Sequence, residues 1–328
     1  MRYLITGATG FVGPYLVRAL VEKGHTCRCL VREGSHTDGL MHSGVERVQG
    51  DVTRPKTLEG LAEGADGVFH LATLGHMSNF RVTGEMFEAV NVRGTINVMT
   101  EALRAGVQRV VHCSSVAAMG IVQEVPAIEE SPCNPHHPYG RSKLEAERAV
   151  RRMVREQDLR AVIVRFSMVY GPGDSRDILR LTRMAKKGRF PRVGNRPKLT
   201  PLIHVEDAVR GLMAALNRGR AGETYLITNA ASMPFDRIRE VIQQALGRRP
   251  WALWVPESAV LCAASMAETI WRLLGKAPPV TRKNIESTLA DRVFSINKAR
   301  RELGFEPEKD PEEGLRETVA WYREKGWV

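Results

Sequence analysis

The chain has 328 residues, 43% hydrophobic and 26% charged, which suits a large globular core and excludes a disulfide miniprotein, a collagen, a coiled coil or a disordered segment. Forty-eight Lys and Arg against 37 Asp and Glu leave a net charge of +11; that surplus fits nucleic acid, an anionic membrane or a phosphorylated small molecule, and selects none of them. Five scattered cysteines (Cys27, Cys29, Cys113, Cys133, Cys262) without a metal-like second pair, and an opening MRYLITGATG that does not read as a secretory leader, set the expectation of reduced thiols in a cytoplasmic protein.

In chain order, short β-branched runs alternate with helical patterns through the first half, the rhythm of a parallel α/β sheet. Residues 3–6 read as the first strand and 15–23 as a helix. Residues 27–31, 45–49 and 67–70 read as the next three strands. A helix includes 90–105, a strand spans 109–113, a long charged helix 139–156, and a sixth strand 161–165. Residues 170–174 form a turn, followed by a basic helix and a Pro/Gly-rich stretch at 188–201. A strand–helix pattern returns at 202–216, and 223–227 reads as another strand. The predicted fold is a doubly wound parallel Rossmann sheet, residues 1–168 rejoined by 202–228. Residues 169–201 and 229–328 form a smaller, partly interleaved α/β substrate-binding domain, with the cleft outside the carboxyl ends of the strands. No apolar run approaches the ~20 residues of a membrane span; the best, 258–274, is cut by Glu268 and Arg272 and reads as a core or surface-seeking helix.

Three glycines, Gly7, Gly10 and Gly13, follow the first strand in the pattern Gly-x-x-Gly-x-x-Gly and open a helix. Glycines there let backbone amides approach a pyrophosphate held at the positive end of the helix, so Gly7, Thr9, Gly10, Phe11, Val12 and Gly13 are candidate dinucleotide-binding residues. Asp51 and Val52 follow the third strand, where a carboxylate can accept from an adenine amino group. At the end of the second strand, Arg32 suits a 2′-phosphate and favours NADP over NAD, although the adjacent Glu33 could serve a 2′-hydroxyl. Tyr139 and Lys143, four apart at the start of the long helix, can project into one site. A tyrosine acting as base at neutral pH needs its pKa of ~10 lowered by roughly 3, about 4 kcal/mol. One exposed ammonium supplies less, so a cationic nicotinamide and a desolvated cleft must add the rest. Ser115, after the fifth strand, offers a hydroxyl to the substrate oxygen.

Taken together, TGATGFVG (6–13), GDV (50–52), HLA (70–72), NVRGT (91–95), CSS (113–115), YGRSK (139–143), VYGPGD (169–174) and IHVED (203–207) resemble the extended short-chain dehydrogenase/reductases, the NAD-dependent epimerase/dehydratase group, over nearly the whole length. The resemblance implies Ser115 as catalytic hydroxyl, Tyr139 as acid/base and Lys143 as its partner. It also implies Ser114, Leu71, Ala72, Asn91, Phe166 and Val169 beside the cofactor, and a homodimer formed through helices matching 90–105 and 139–155.

The departures narrow the branch. Dehydratases place an acidic residue after the catalytic hydroxyl, and here Val116 and Ala117 follow Ser115. Nucleotide-sugar enzymes carry an amide where this chain has Met168, Arg-Asp where it has Thr200 and Pro201, and Tyr where it has Met119. The Ser115 loop is more similar to the dihydroflavonol reductase and 3β-hydroxysteroid dehydrogenase branch. So is the tail, with its Pro-Pro-Val-Thr at 278–281 and the motifs at 294–300 and 302–305. That branch implies hydride transfer between NAD(P) and a secondary alcohol/ketone pair on an apolar small molecule, with Ser115 and Met168 at the substrate. A nucleotide-sugar epimerase with tightly bound NAD is the alternative. A non-catalytic dinucleotide-binding regulator comes third, disfavoured by the retained Tyr139 and Lys143. Nucleic acid is not an expected partner.

The remaining features have plain readings. His136 and His137 read as a polar loop rather than a metal pair, and no metal site is expected. His204, Glu206 and Asp207 read as a strand-to-helix cap. Trp251, Trp254 and Trp271, with Leu253 and Leu261, read as ordinary core rather than as the lining of an apolar substrate pocket. Residues 174–198 carry nine Lys/Arg against two Asp, a local +7. This is a solvated face, or a patch steering a phosphorylated cofactor, an acidic substrate or an anionic membrane surface toward the cleft.

Overall fold

The computed structural model describes residues 1–75, 82–188, 190–250, 253–274, 282 and 289–328. Seven strands, β1 (Arg2–Thr6), β2 (Thr26–Val31), β3 (Val45–Gln49), β4 (Gly67–His70), β5 (Val110–Ser115), β6 (Ala161–Phe166) and β11 (Thr224–Ile227), form one sheet. Their order is β11-β6-β5-β4-β1-β2-β3, parallel throughout. Alternate side chains of each strand feed opposite layers. Ile5, Phe69, Val111 and Val164 meet Leu16, Val17 and Leu20 of helix α1 (Val12–Glu22) and Val209 and Leu212 of α6 (Val205–Arg218). On the other side Leu4, Val68, Val110 and Ile163 meet Val98 and Met99 of α3 (Gly94–Arg104) and Val150 and Met153 of α4 (Pro138–Gln157). The chain leaves the β3 edge and returns beside β1 as β4, so the strand order reverses between β1 and β4. A crevice opens at their carboxyl ends, where such folds take their ligands.

A separate apolar cluster joins Tyr170, Leu202, Ile238, Val241, Leu315 and Tyr322. It packs α5 (Asp177–Lys186), α7 (Phe235–Ala245) and the last helix, α9 (Pro311–Glu324). Short strands decorate this part: β7 (Met168–Tyr170) pairs with β10 (Leu202–His204), β9 (Leu199–Thr200) with β12 (Met233–Pro234), and β8 (Arg192–Val193) with β13 (Trp254–Val255). The stretch 188–201 is therefore not a plain loop, since it supplies β8 and β9.

Several boundaries differ from the predicted ones. Helix α1 begins at Val12, three residues early, because the glycine loop feeds straight into it. Strand β5 continues to Ser115, its ladder extended by Ser114 beside Arg165 and Ser115 beside Phe166. A π-helical stretch, Glu88–Arg93, precedes α3. His204 caps α6 as expected, its Nδ1 accepting from the Glu206 amide. Asp207 does more than cap: its carboxylate accepts the amides of Glu308 and Lys309, 3.0 and 3.1 Å away. His137 caps α4 by accepting from the Tyr139 amide, and the described residues contain no cluster of three or more metal-ligating side chains.

The tryptophan reading is corrected. Leu253, Trp254 and Trp271 are 61%, 49% and 37% exposed, because α8 (Glu257–Leu273) buries little besides Ala264. Leu261 is half-buried. Trp251 and the segment 278–281 lie outside the described residues. In the rest of the predicted tail motif Phe294, Ile296, Ala299, Leu303 and Phe305 are core.

Candidate active site

The glycine loop sits at the crevice because larger residues cannot pass there. Gly7 has φ of +72°, and a Cβ on it would stand 2.6 Å from the Ala72 amide nitrogen at the end of β4. A Cβ on Gly13 would strike the Ala8 carbonyl. Phe11 precedes α1 without a side-chain cap, and no acidic residue stands in the first turn, so the first amides of the helix are left for an anion. Thr9 and Gly10 are exposed, and Phe11 and Val12 half-buried. A cavity of about 510 Å³ lies between Thr9, Gly10, Phe11 and Tyr15 on one side and Pro172 and Ser175 on the other. Tyr15 closes one end by donating to the Pro172 carbonyl at 2.7 Å. These features fit the diphosphate of a dinucleotide.

The two adenine-side candidates come together. Strands β2 and β3 pair to their ends, and Arg32 is close enough to lower the Asp51 pKa. Burial pushes that carboxyl up, and the hydrogen bonds from Thr53 with the charges of Arg32 and Arg54 bring it below the usual range. Val52 is buried against the Cα of Gly94.

Asn91 stands at the crevice but has no free polar atom. Its amide accepts from Leu74 N and Thr73 Oγ1 and donates to Leu74 O and Ser142 Oγ, all within 3.1 Å. It holds the loop after β4, where Leu71 is buried and Ala72 half-buried. His70 braces the same loop and had no assigned role in the sequence. Thr95 donates to Asn91 O at 2.6 Å, so it accepts from His70 Nε2 at 2.9 Å. His70 Nδ1 then accepts from Thr6 at 2.7 Å. Complete burial pushes the imidazole down to about 3, and it stays neutral.

At the end of β5 the two serines part company. Ser114 turns into the core and donates to Glu147 Oε1 at 2.6 Å, so the expectation that its side chain lines the site is corrected; strand alternation sends neighbouring residues to opposite faces. Ser115 turns to the crevice, accepts from the Ala117 amide at 3.1 Å and lies close enough to the Tyr139 hydroxyl to lower its pKa. Burial, with the nearby Cys113, pushes Tyr139 up to about 12, opposite to the lowering a resting base requires. Lys143 is 2% exposed and donates to the Cys113 carbonyl at 2.5 Å. The shared helix face is as expected, while the ammonium is spent on the strand end. Burial lowers its pKa. Phe166 is buried beside Ser115 across the β5–β6 ladder, and Met168 and Val169 are half-buried on β7.

Like His70, Arg176 escaped the sequence reading. Arg176 lies with its guanidinium 5.6 Å from the Phe11 ring centre, donates to Asp174, and is close enough to lower the pKa of both Tyr139 and Cys113. It belongs to the basic stretch, but nothing local marked it apart from its neighbours.

Comparison with known proteins shows the family. Residues 3–231 match the NAD dependent epimerase/dehydratase family. A 4-hydroxy-2-methyl-3-oxo-4-farnesyl-3,4-dihydroquinoline-1-oxide ketoreductase of Stigmatella aurantiaca is 30% identical over 96% of this chain and 95% of its own. A 2-alkyl-3-oxoalkanoate reductase of Stenotrophomonas maltophilia is 30% identical over 98% and 99%. The crystal structure of gox2253 superposes with a TM-score of 0.88 at 33% identity, covering 99% of both chains. With its Rossmann sheet, glycine loop and Ser115–Tyr139 pair, the chain belongs to the NAD-dependent epimerase/dehydratase family of extended short-chain dehydrogenases/reductases.

Proposed function

We propose that this enzyme interconverts a ketone and a secondary alcohol on an apolar carbon skeleton, using NADP in preference to NAD. The observation that carries the reading is the Ser115–Tyr139 hydroxyl pair at the end of β5, followed by Val116 and Ala117 rather than by an acid. One proton donor facing one oxygen is enough for ketone reduction; elimination of water needs a second acid/base group. The two reductase relatives act, by their names, on substrates with farnesyl or alkyl chains, which supports the apolar class.

In this mechanism Ser115 and Tyr139 hold the carbonyl oxygen between their hydroxyls. The phenol, kept protonated by burial, gives its proton to that oxygen as the alcohol forms; in the reverse direction the phenolate takes it back. Gly7, Gly10 and Gly13 would hold the diphosphate, Arg32 the 2′-phosphate, and Val169 would stand beside the nicotinamide, which when bound would supply a hydride to the carbonyl carbon in reduction and accept it in oxidation. Lys143 fixes the end of β5 through Cys113, and with it the position of Ser115.

The test is a screen of purified protein with NADPH and NADH against long-chain 3-oxo compounds, ketosteroids and dihydroflavonols, with UDP-glucose and UDP-galactose in parallel. Net oxidation of NADPH by an apolar ketone is expected. Interconversion of the UDP-sugars without net cofactor turnover would replace this reading with an epimerase.

Arg32 gives a separate prediction. Arg32→Ala is expected to lower kcat/KM for NADPH about tenfold, equivalent to ~1.4 kcal/mol, and to leave NADH nearly unchanged. Equal effects on both cofactors would move the selectivity elsewhere.

A further inference from the structure

Helix α8 is apolar on the side it shows to water. Its exposed residues Ala259, Cys262, Ala263, Met266, Ile270 and Leu273 recur every three or four positions, so they form one stripe; the exposed polar residues described on this helix, Ser258 and Thr269, are uncharged as well. Met266, Ile270 and Leu273 are 61%, 53% and 82% exposed. Strand β13, just ahead, adds Leu253 and Trp254, and the helix end adds Trp271 and Leu274. Of the fourteen large hydrophobic side chains exposed among the described residues, seven fall within 253–274. Concentration of this kind marks a surface that is covered in use.

The surrounding charge identifies what covers it. Strand β13 lies beside β8 with Trp254 opposite Arg192, and the Trp254 indole donates to Gly194 O at 3.2 Å. The exposed turn after β8 carries Arg196, and exposed Arg248 and Arg249 precede β13. Arg192 is ion-paired with Asp236, which leaves Arg196, Arg248 and Arg249 as the cationic rim. The acids of this region are already engaged: Glu257 holds Lys198 at 2.7 Å and Glu268 accepts from the Arg282 amide.

An uncharged apolar stripe with tryptophans at its border and arginines beyond matches the depth profile of a lipid interface: acyl chains, then the headgroup boundary, then anionic headgroups. A second copy related by a two-fold axis would bring the same arginine rim against itself. No helix of the described residues is long and apolar enough to cross a membrane, so the helix lies in the surface. We propose that the α8–β13 face docks this enzyme on a bilayer bearing anionic headgroups. The inference stands apart from the reductase reading, because it uses none of the active-site residues.

The experiment is co-sedimentation of the purified full chain with vesicles of phosphatidylcholine alone or mixed with phosphatidylglycerol, followed also by tryptophan emission. The protein is expected to bind the mixed vesicles with a blue shift and to be released by salt. The double variant Ile270→Glu/Leu273→Glu should lose at least ~10-fold in partitioning. Arg196→Glu should lose roughly 5-fold on mixed vesicles and almost nothing on phosphatidylcholine. These side chains are exposed, and near-UV circular dichroism confirms that each variant is folded. The proposal is overturned by equal partitioning of wild type and double variant, by binding indifferent to phosphatidylglycerol, or by no binding to either vesicle. It is equally overturned if sedimentation equilibrium shows that the double variant merely converts a dimer to monomer.

Discussion

Replacing Tyr139 with Phe is expected to lower turnover by about 10³-fold while dinucleotide affinity stays within a few-fold. In the proposed mechanism the phenol meets the substrate oxygen, and Ser115 lies close enough to it to lower its pKa. The glycine loop and Arg32, which hold the cofactor in the proposed mechanism, are built on β1, α1 and the end of β2. The ring should stay packed, because Phe87 lies 6.0 Å from it, centroid to centroid. Steady-state kinetics with fluorescence titration of NADPH separates the two quantities; comparable turnover in the variant would remove Tyr139 from the mechanism. A pH profile adds the sign. Burial raises the Tyr139 pKa, so the protonated form dominates at neutral pH and ketone reduction should not gain from alkali. Alcohol oxidation begins from the phenolate and should climb with pH.

Arg165→Met is expected to destabilise the enzyme by about 3–5 kcal/mol, lowering the melting temperature by on the order of 10 °C. Arg165 is 2% exposed and Glu147 fully buried; the guanidinium grips the carboxylate through Nε at 2.9 Å and Nη2 at 2.8 Å. Ser114 and Arg151 donate to the same carboxylate, and Arg165 Nη1 reaches Glu129 O at 3.1 Å. One carboxylate thus joins α4, β5 and β6, and removing the arginine leaves a charge buried without its main partner. The double variant Glu147→Leu/Arg165→Met should recover much of the loss, whereas an equally large loss would mean that the packing, not the charge, is what matters. The pH dependence follows. Burial alone would raise the Glu147 pKa, but hydrogen bonding and charge from Arg165 hold it below the ordinary carboxylate value. The stability it contributes is present above the unfolded pKa of ~4.3 and lost as pH falls through the lower folded value. The wild type should therefore lose more stability on acidification than the double variant does.

What the sequence made legible was local in origin. Strands β3 and β4 lie where their β-branched runs predicted, and the glycine loop declared itself because three glycines between a strand and a helix have one economical use. Direction was harder to read. Placing the end of β5 at residue 113 put both Ser114 and Ser115 in a loop at the site, Ser115 as the catalytic hydroxyl and Ser114 lining it; in the ladder they face opposite ways, one into the Glu147 pair and one into the crevice. The four-residue spacing of Tyr139 and Lys143 correctly put them on one helix face, but spacing says nothing of the Cys113 carbonyl that takes the ammonium. Asn91 was expected near the cofactor, and only the fold shows that its polar atoms are consumed by the neighbouring loop. The apolar character of α8 was equally visible and left open between core and surface, while its Trp271 was read as core, since periodicity reveals that a helix has an apolar side and not whether that side meets protein or water.

The parallel pairing of β11 with β6 has a consequence for how the protein is made. Strand β6 is flanked by β5 soon after it leaves the ribosome, but its other neighbour is residues 224–227. While residues 167–223 are synthesised, roughly 3–11 s at ordinary translation rates, β6 stands as an open edge with six side chains that are buried in the finished sheet. A bare apolar edge of that kind invites pairing between nascent chains. The enzyme's yield in a cell should accordingly depend on translation speed across this window and on holdase chaperones, independently of how stable the completed fold is.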